Sequence, residues 1–213
     1  MHFMEYDTPI SNVIGKTLDI LLLSAIWFIC CIPVITIGAS TTALYYAGVK
    51  GLRKGRGYAI QNFFHAFRQN FLPATLLWLF YGILTVVLYI CFVFASVISI
   101  PGLKFFMSTV YTFMGFIFLS MGCYSFPVLS RCSMKCGQII RFSFGLMIRH
   151  FPSTLLMVLI VGAVTVGMWS FPLFVFCLPA VGTIFFSLLM ERILIRYTPE
   201  DEKNSWYAEK DGE

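Results

Sequence analysis

Three stretches of this chain run far without a formal charge: Gln69–Leu103, Phe105–Ser130 and Phe151–Met190 carry no Asp, Glu, Lys or Arg over 35, 26 and 40 residues. A helix needs about 20 predominantly apolar residues to cross the hydrocarbon core of a bilayer. Backbone polar groups cannot be satisfied by lipid, so such stretches must bond internally, as helices do. Composition agrees: 59% of the residues are hydrophobic and 12% charged, against roughly 45–50% and 25% in soluble domains. The expected fold is all-α, a polytopic helical membrane protein.

Charge is distributed as unevenly as hydrophobicity. Between Asp19 and Glu191 there is no acidic residue, while ten Lys or Arg occur. Lys50, Arg53, Lys54, Arg56 and Arg68 make one cluster, Arg131, Lys135, Arg141 and Arg149 another, and Lys104 stands apart. The positive-inside rule places both clusters on the cytoplasmic face. Membrane-length apolar runs flank them, which argues against nucleic acid as the partner. Anionic lipid headgroups are the expected contacts of Arg53, Lys54, Arg56, Arg68, Arg141 and Arg149. Glu5 and Asp7 precede the first apolar run, and no small-residue cleavage site follows it, so that run is expected to stay in the mature protein.

One membrane domain is expected over residues 1–197, followed by a polar cytoplasmic tail at 198–213. Six spans fit the charge pattern with both termini inside, the outer turns being Pro33–Gly38, Ile98–Lys104 and Leu173–Leu178. The weak point is the first hairpin. Its second helix, about Ala39 to Gly51, is short, so a re-entrant or tilted segment and a five-span layout are the alternatives. Two amphipathic segments are expected along the inner interface. Ile60, Phe63, Phe64, Phe67 and Phe71 share one helical face, as do Ile140, Phe144, Met147, Ile148 and Phe151. Each leads into a related sequence, Pro73-Ala74-Thr75-Leu76-Leu77 and Pro152-Ser153-Thr154-Leu155-Leu156, which suggests an internal repeat.

Little in the sequence carries chemistry. Asp19 and Glu191 lie at the edges of spans, and their expected roles are ion pairs, Asp19 with Lys16 and Glu191 with the basic loops; a proton or substrate path is the alternative. His2, His65 and His150 are dispersed, and Cys132 and Cys136 are spaced as neither a redox pair nor half of a typical zinc site. No nucleophile, metal or nucleotide motif is present, so neither a cofactor nor an enzymatic activity is expected. The helix after Pro33 is richer. Gly38, Ala39, Ala43, Ala47 and Gly51 make a small-residue stripe suited to close packing on another helix or on a partner. Ser40, Thr41, Thr42 and Tyr45 are the candidates for a polar path.

The run Pro33-Val34-Ile35-Thr36-Ile37-Gly38, then Ala43-Leu44-Tyr45-Tyr46, Gly57-Tyr58, Phe63-Phe64, Phe67-Arg68 and Asn70-Phe71 resembles the YesL family of bacterial membrane proteins. That resemblance implies a small multi-span protein of a bacterial cytoplasmic membrane, without assigned catalytic residues, and an accessory role near carbohydrate uptake. The functional expectation is a non-enzymatic subunit bound to another membrane protein or to further copies of itself. A small transporter or channel for a weakly polar solute is the alternative.

Overall fold

The computed structural model describes residues 9–53, 59–97, 100–131 and 134–197, without the side chains of residues 9–14, 16, 53 and 172. All regular structure among them is helical: α1 (Pro9–Cys31), α2 (Ile37–Ala47), α3 (Ala59–Val97), α4 (Pro101–Arg131), α5 (Cys136–Arg149), α6 (Phe151–Ser170) and α7 (Leu178–Leu194). Three of these helices, α3, α4 and α6, are long and apolar enough to cross a membrane.

Pro33 ends α1, because proline biases the residue before it away from helical geometry. A single 3-10 turn, Val34–Thr36, then leads into α2. Hydroxyls satisfy the carbonyls that this break exposes: Thr36 Oγ1 donates to the carbonyls of Cys30 and Pro33, both at 2.6 Å, and Ser40 Oγ donates to Cys30 at 3.1 Å. The elbow is closed on itself.

α2 runs through the middle of the molecule. Its residues from Gly38 to Ala47 are buried except Thr41, and the stripe of small side chains makes this possible. A Cβ on Gly38 would stand 2.6 Å from the Ala74 carbonyl oxygen and from Trp78 Cβ, and one on Gly51 would stand 2.8 Å from Ala59 Cα. The two helices therefore run antiparallel in close contact, with Ala59, Phe63, Ala66, Ala74, Leu77 and Tyr81 forming the buried side of α3. A π-helical turn, Gly48–Arg53, ends α2.

That pairing fixes how far the α1–α2 hairpin reaches. Gly38 lies beside Ala74 and Trp78, yet α3 continues to Val97, about 28 Å further at 1.5 Å per residue. The distance nearly equals the hydrocarbon thickness of a bilayer, about 30 Å. The Pro33–Gly38 turn and the α3–α4 connection, both expected at the outer face, thus stand at different heights along α3.

The first amphipathic segment is not a separate helix. It forms the opening turns of α3, which passes through Pro73 without interruption. The second is separate, as α5, and begins where the backbone N–H of Lys135 donates to Gln138 Oε1 at 3.2 Å. Its buried side is Ile139, Ser143, Leu146 and Met147, so Met147, expected on the apolar face along the inner interface, packs inside, while Phe144, Ile148 and Phe151 of that face are exposed. His150 breaks the chain at φ −119°, ψ 45°, and Pro152 falls in the first turn of α6, where its missing N–H costs nothing. The two similar pentapeptides therefore sit in different backbone settings. Thr154 Oγ1 bonds Tyr124 OH at 2.8 Å, while Thr75 Oγ1 is buried without a hydrogen-bond partner.

α6 and α7 form a tight hairpin, in which Gly167 faces Leu178 and Gly182 faces Val164. α1 leans on it through Ser24 Oγ, which accepts the Ala180 N–H at 3.2 Å, and through the edge contact of Phe28 with Phe176.

Candidate functional site

The most concentrated chemistry lies where α2, α4 and α7 meet. Arg131, at the end of α4, donates through Nη2 to Glu191 Oε2 of α7 at 2.5 Å, and the two side chains are only 3% and 4% exposed. Tyr45 of α2 donates its hydroxyl to Glu191 Oε1 at 3.1 Å. The Tyr45 ring meets Phe186 edge-on at 6.3 Å. Glu191 thus has both oxygens engaged, by Arg131 and Tyr45 of two other helices. The expected pairing of Glu191 with a basic loop is what the structure holds, with Arg131 as the partner. Asp19 is half-buried; the side chain of Lys16, its expected partner, lies outside the described residues.

A second polar set ties α3, α4, α5 and α6 together. Tyr81 OH bonds Ser125 Oγ at 2.8 Å, and Ser125 Oγ donates to Ser143 at 3.1 Å. Tyr124 OH meets Thr154 Oγ1, which also reaches the carbonyls of His150 at 3.0 Å and Met147 at 3.3 Å. Sequence reasoning passed over these residues. The available signal was a helix end, Ser120 to Arg131, that carries Ser120, Tyr124, Ser125 and Ser130 within an otherwise apolar run. Buried hydroxyls of that kind must find partners.

The four candidates for a polar path are engaged with the chain itself. Ser40 bonds Cys30, Thr41 donates to Ile37 at 2.7 Å, Thr42 to Gly38 at 2.9 Å, and Tyr45 to Glu191. Hydroxyls bonded back one turn are the ordinary way for Ser and Thr to live in an apolar helix. Ala39, Ala43 and Ala47 are fully buried, so the stripe packs the chain's own helices and presents no face outward. Larger side chains there would press on α3 and the rest of the interior.

Among the basic residues, Arg68, Arg141 and Arg149 are exposed; Lys54, Arg56 and the side chain of Arg53 lie outside the described residues. Arg68 lines a shallow groove on one side of α3 with Gln61, Phe64, His65 and Gln69. Arg141 and Arg149 line another on α5, together with Gln138, Gly145 and Tyr197. Burial and the nearby Arg196 and Arg149 hold the His150 imidazole below its ordinary pKa of 6.5. Among the described residues, no three His, Cys, Asp or Glu side chains group in a way that could hold a metal ion. Cys30, Cys31, Cys91, Cys123, Cys136 and Cys177 are free thiols, and Cys132 lies outside the described set.

Helices of this length and apolarity, with polar groups gathered inside and apolar side chains left bare outside, define a helical membrane protein. Within that class, residues 20–92 match the family model described as "Protein of unknown function, DUF624". The matched stretch runs from the body of α1 through α2 into the apolar half of α3, and so contains the whole antiparallel packing of α2 on α3. No curated protein and no solved structure matches the chain.

Proposed function

We propose that this chain is a non-enzymatic accessory subunit of a membrane complex, docked laterally on another integral membrane protein. The observation that supports it is how unevenly the polar and apolar groups are used. Apart from Thr75, the interior hydroxyls and the Arg131–Glu191 pair are spent on one another and on the backbone. Meanwhile α3 beyond Tyr81 buries Ala95 alone, and α4 before Ser120 buries nothing. A solute path requires open polar groups to replace a hydration shell; a subunit needs only a packing face. The resemblance to the YesL family points the service toward carbohydrate uptake and the location toward a bacterial cytoplasmic membrane.

In this reading α3 and α4 cross the bilayer, and the α1–α2 and α6–α7 hairpins, whose Phe28 and Phe176 meet near their turns, dip in together from the cytoplasmic side, which leaves both termini inside. Anionic headgroups meet the Arg68 side of α3. The runner-up is a small transporter for a weakly polar solute, its path completed between copies.

Extraction from the native membrane with mild detergent should recover a second integral membrane protein. A Cβ added at Gly82 or Gly115 meets nothing within 4 Å, so Gly82→Trp and Gly115→Trp should lower that recovery while leaving thermal stability unchanged. Proteoliposomes of this chain alone should take up no sugar above protein-free controls. Saturable uptake that is lost on replacing Thr41 or Tyr45 would establish the transporter instead.

A further inference from the structure

The groove on α5 is a basic surface with no acid of its own. Its walls are Gln138, Arg141, Phe142, Arg149 and Tyr197, it encloses about 550 Å³, and Gly145 leaves its middle open, since a Cβ there would meet nothing within 4 Å. The Arg149 guanidinium lies 5.7 Å from the centre of the Tyr197 ring. Arg196 adds a further positive charge next to Tyr197; burial first, and then Arg196 and Arg149, lower the His150 pKa.

Tyr197 is also the last described residue, so the chain leaves the structure from the wall of this groove. The next sixteen residues, 198–213, hold six of the protein's ten acidic residues against two lysines, and the first three acids are consecutive, Glu200-Asp201-Glu202. We propose that the groove is the docking site of this acidic tail, with Glu200, Asp201 and Glu202 laid against Arg149 and Arg141. The reach is sufficient. Three to five extended residues from Tyr197 cover about 10–18 Å, and Arg149 to Gln138 along α5 is about 16 Å. Exposed ion pairs are weak singly, but a short tether keeps their partners at high effective concentration. The docked tail covers two arginines that would otherwise meet lipid headgroups, so tail and anionic lipid compete for one face of α5.

The test is a disulfide placed along the groove in a cysteine-free background of the full chain, with Gln138→Cys paired with Asn204→Cys. Oxidation should join the two within one chain, about tenfold faster than in a variant that also carries Glu200→Gln, Asp201→Asn and Glu202→Gln. Arg141→Glu with Arg149→Glu should slow it likewise; both arginines are exposed, so the fold is not at stake. Combining those reversals with Glu200→Lys, Asp201→Lys and Glu202→Lys should restore the rate, which mere tethering would not do. Equal rates in all variants, or a bond formed between two chains, would overturn the proposal. So would loss of the bond in vesicles of phosphatidylethanolamine and phosphatidylglycerol but not in detergent, because the groove would then belong to lipid.

Discussion

Arg131 and Glu191 are sixty residues apart in the chain, yet their buried pair costs desolvation that neither could recover alone. Removing one partner should therefore be worse than removing both. Arg131→Met or Glu191→Leu alone should lose about 3–5 kcal/mol, the range for breaking a buried pair, in reversible unfolding from detergent micelles. The triple change with Tyr45→Phe, which leaves no buried charge and no stranded hydroxyl, should recover most of the loss. Additive losses would show that the pair does not act as a unit. A milder effect belongs to His150, whose surroundings include Arg149, Arg196 and Tyr197. Its native pKa lies below the unfolded value of 6.5, so on acidification the unfolded chain takes up a proton first. The stability attached to the neutral ring is complete above pH 6.5 and declines as pH falls through 6.5 toward the native pKa. Melting curves from pH 7.5 to 5 should show this acid slope, and His150→Gln should flatten it.

At the scale of elements, the α1–α2 hairpin is what separates the six-span layout from a re-entrant or tilted segment. Both of its helices are apolar, and Pro33 and Gly38 mark a turn between them. Span counting by uncharged length treats every such hairpin as a full crossing. The partner sets its height along α3: Gly38 and Gly51 let α2 press on the opening half of that helix, which places the elbow some 28 Å short of the far end. The consequence is measurable with single cysteines in a cysteine-free background. Gly102→Cys should react with an impermeant maleimide from outside, whereas Val34→Cys, exposed at the elbow, should not. External labelling of Val34 would restore the six-span layout. The fate of the amphipathic stretches follows the same logic. Helix runs on through Pro73 in the first stretch, whereas the His150 dihedrals break the second from α6.

For the whole molecule, hydrophobic run length, missing acids and clustered bases determined the all-helical membrane class but not the number of membrane-length helices, expected as six spans or five and found as three among the described residues. The class is a property of local composition, and lipid imposes it on any chain that carries such runs. The tertiary structure decided which groups meet. Periodicity can place Tyr45, Tyr81, Tyr124, Arg131 and Glu191 on helices, but it contains no information about which helix lies opposite. Their partners, Glu191, Ser125, Thr154 and one another, come from distant segments. The same holds for the small-residue stripe, whose spacing is equally suited to an internal helix or to a foreign one. Only the seating of α2 against Ala59, Ala74 and Trp78 assigns it to the chain's own interior, because van der Waals packing rewards whichever surface approaches closest.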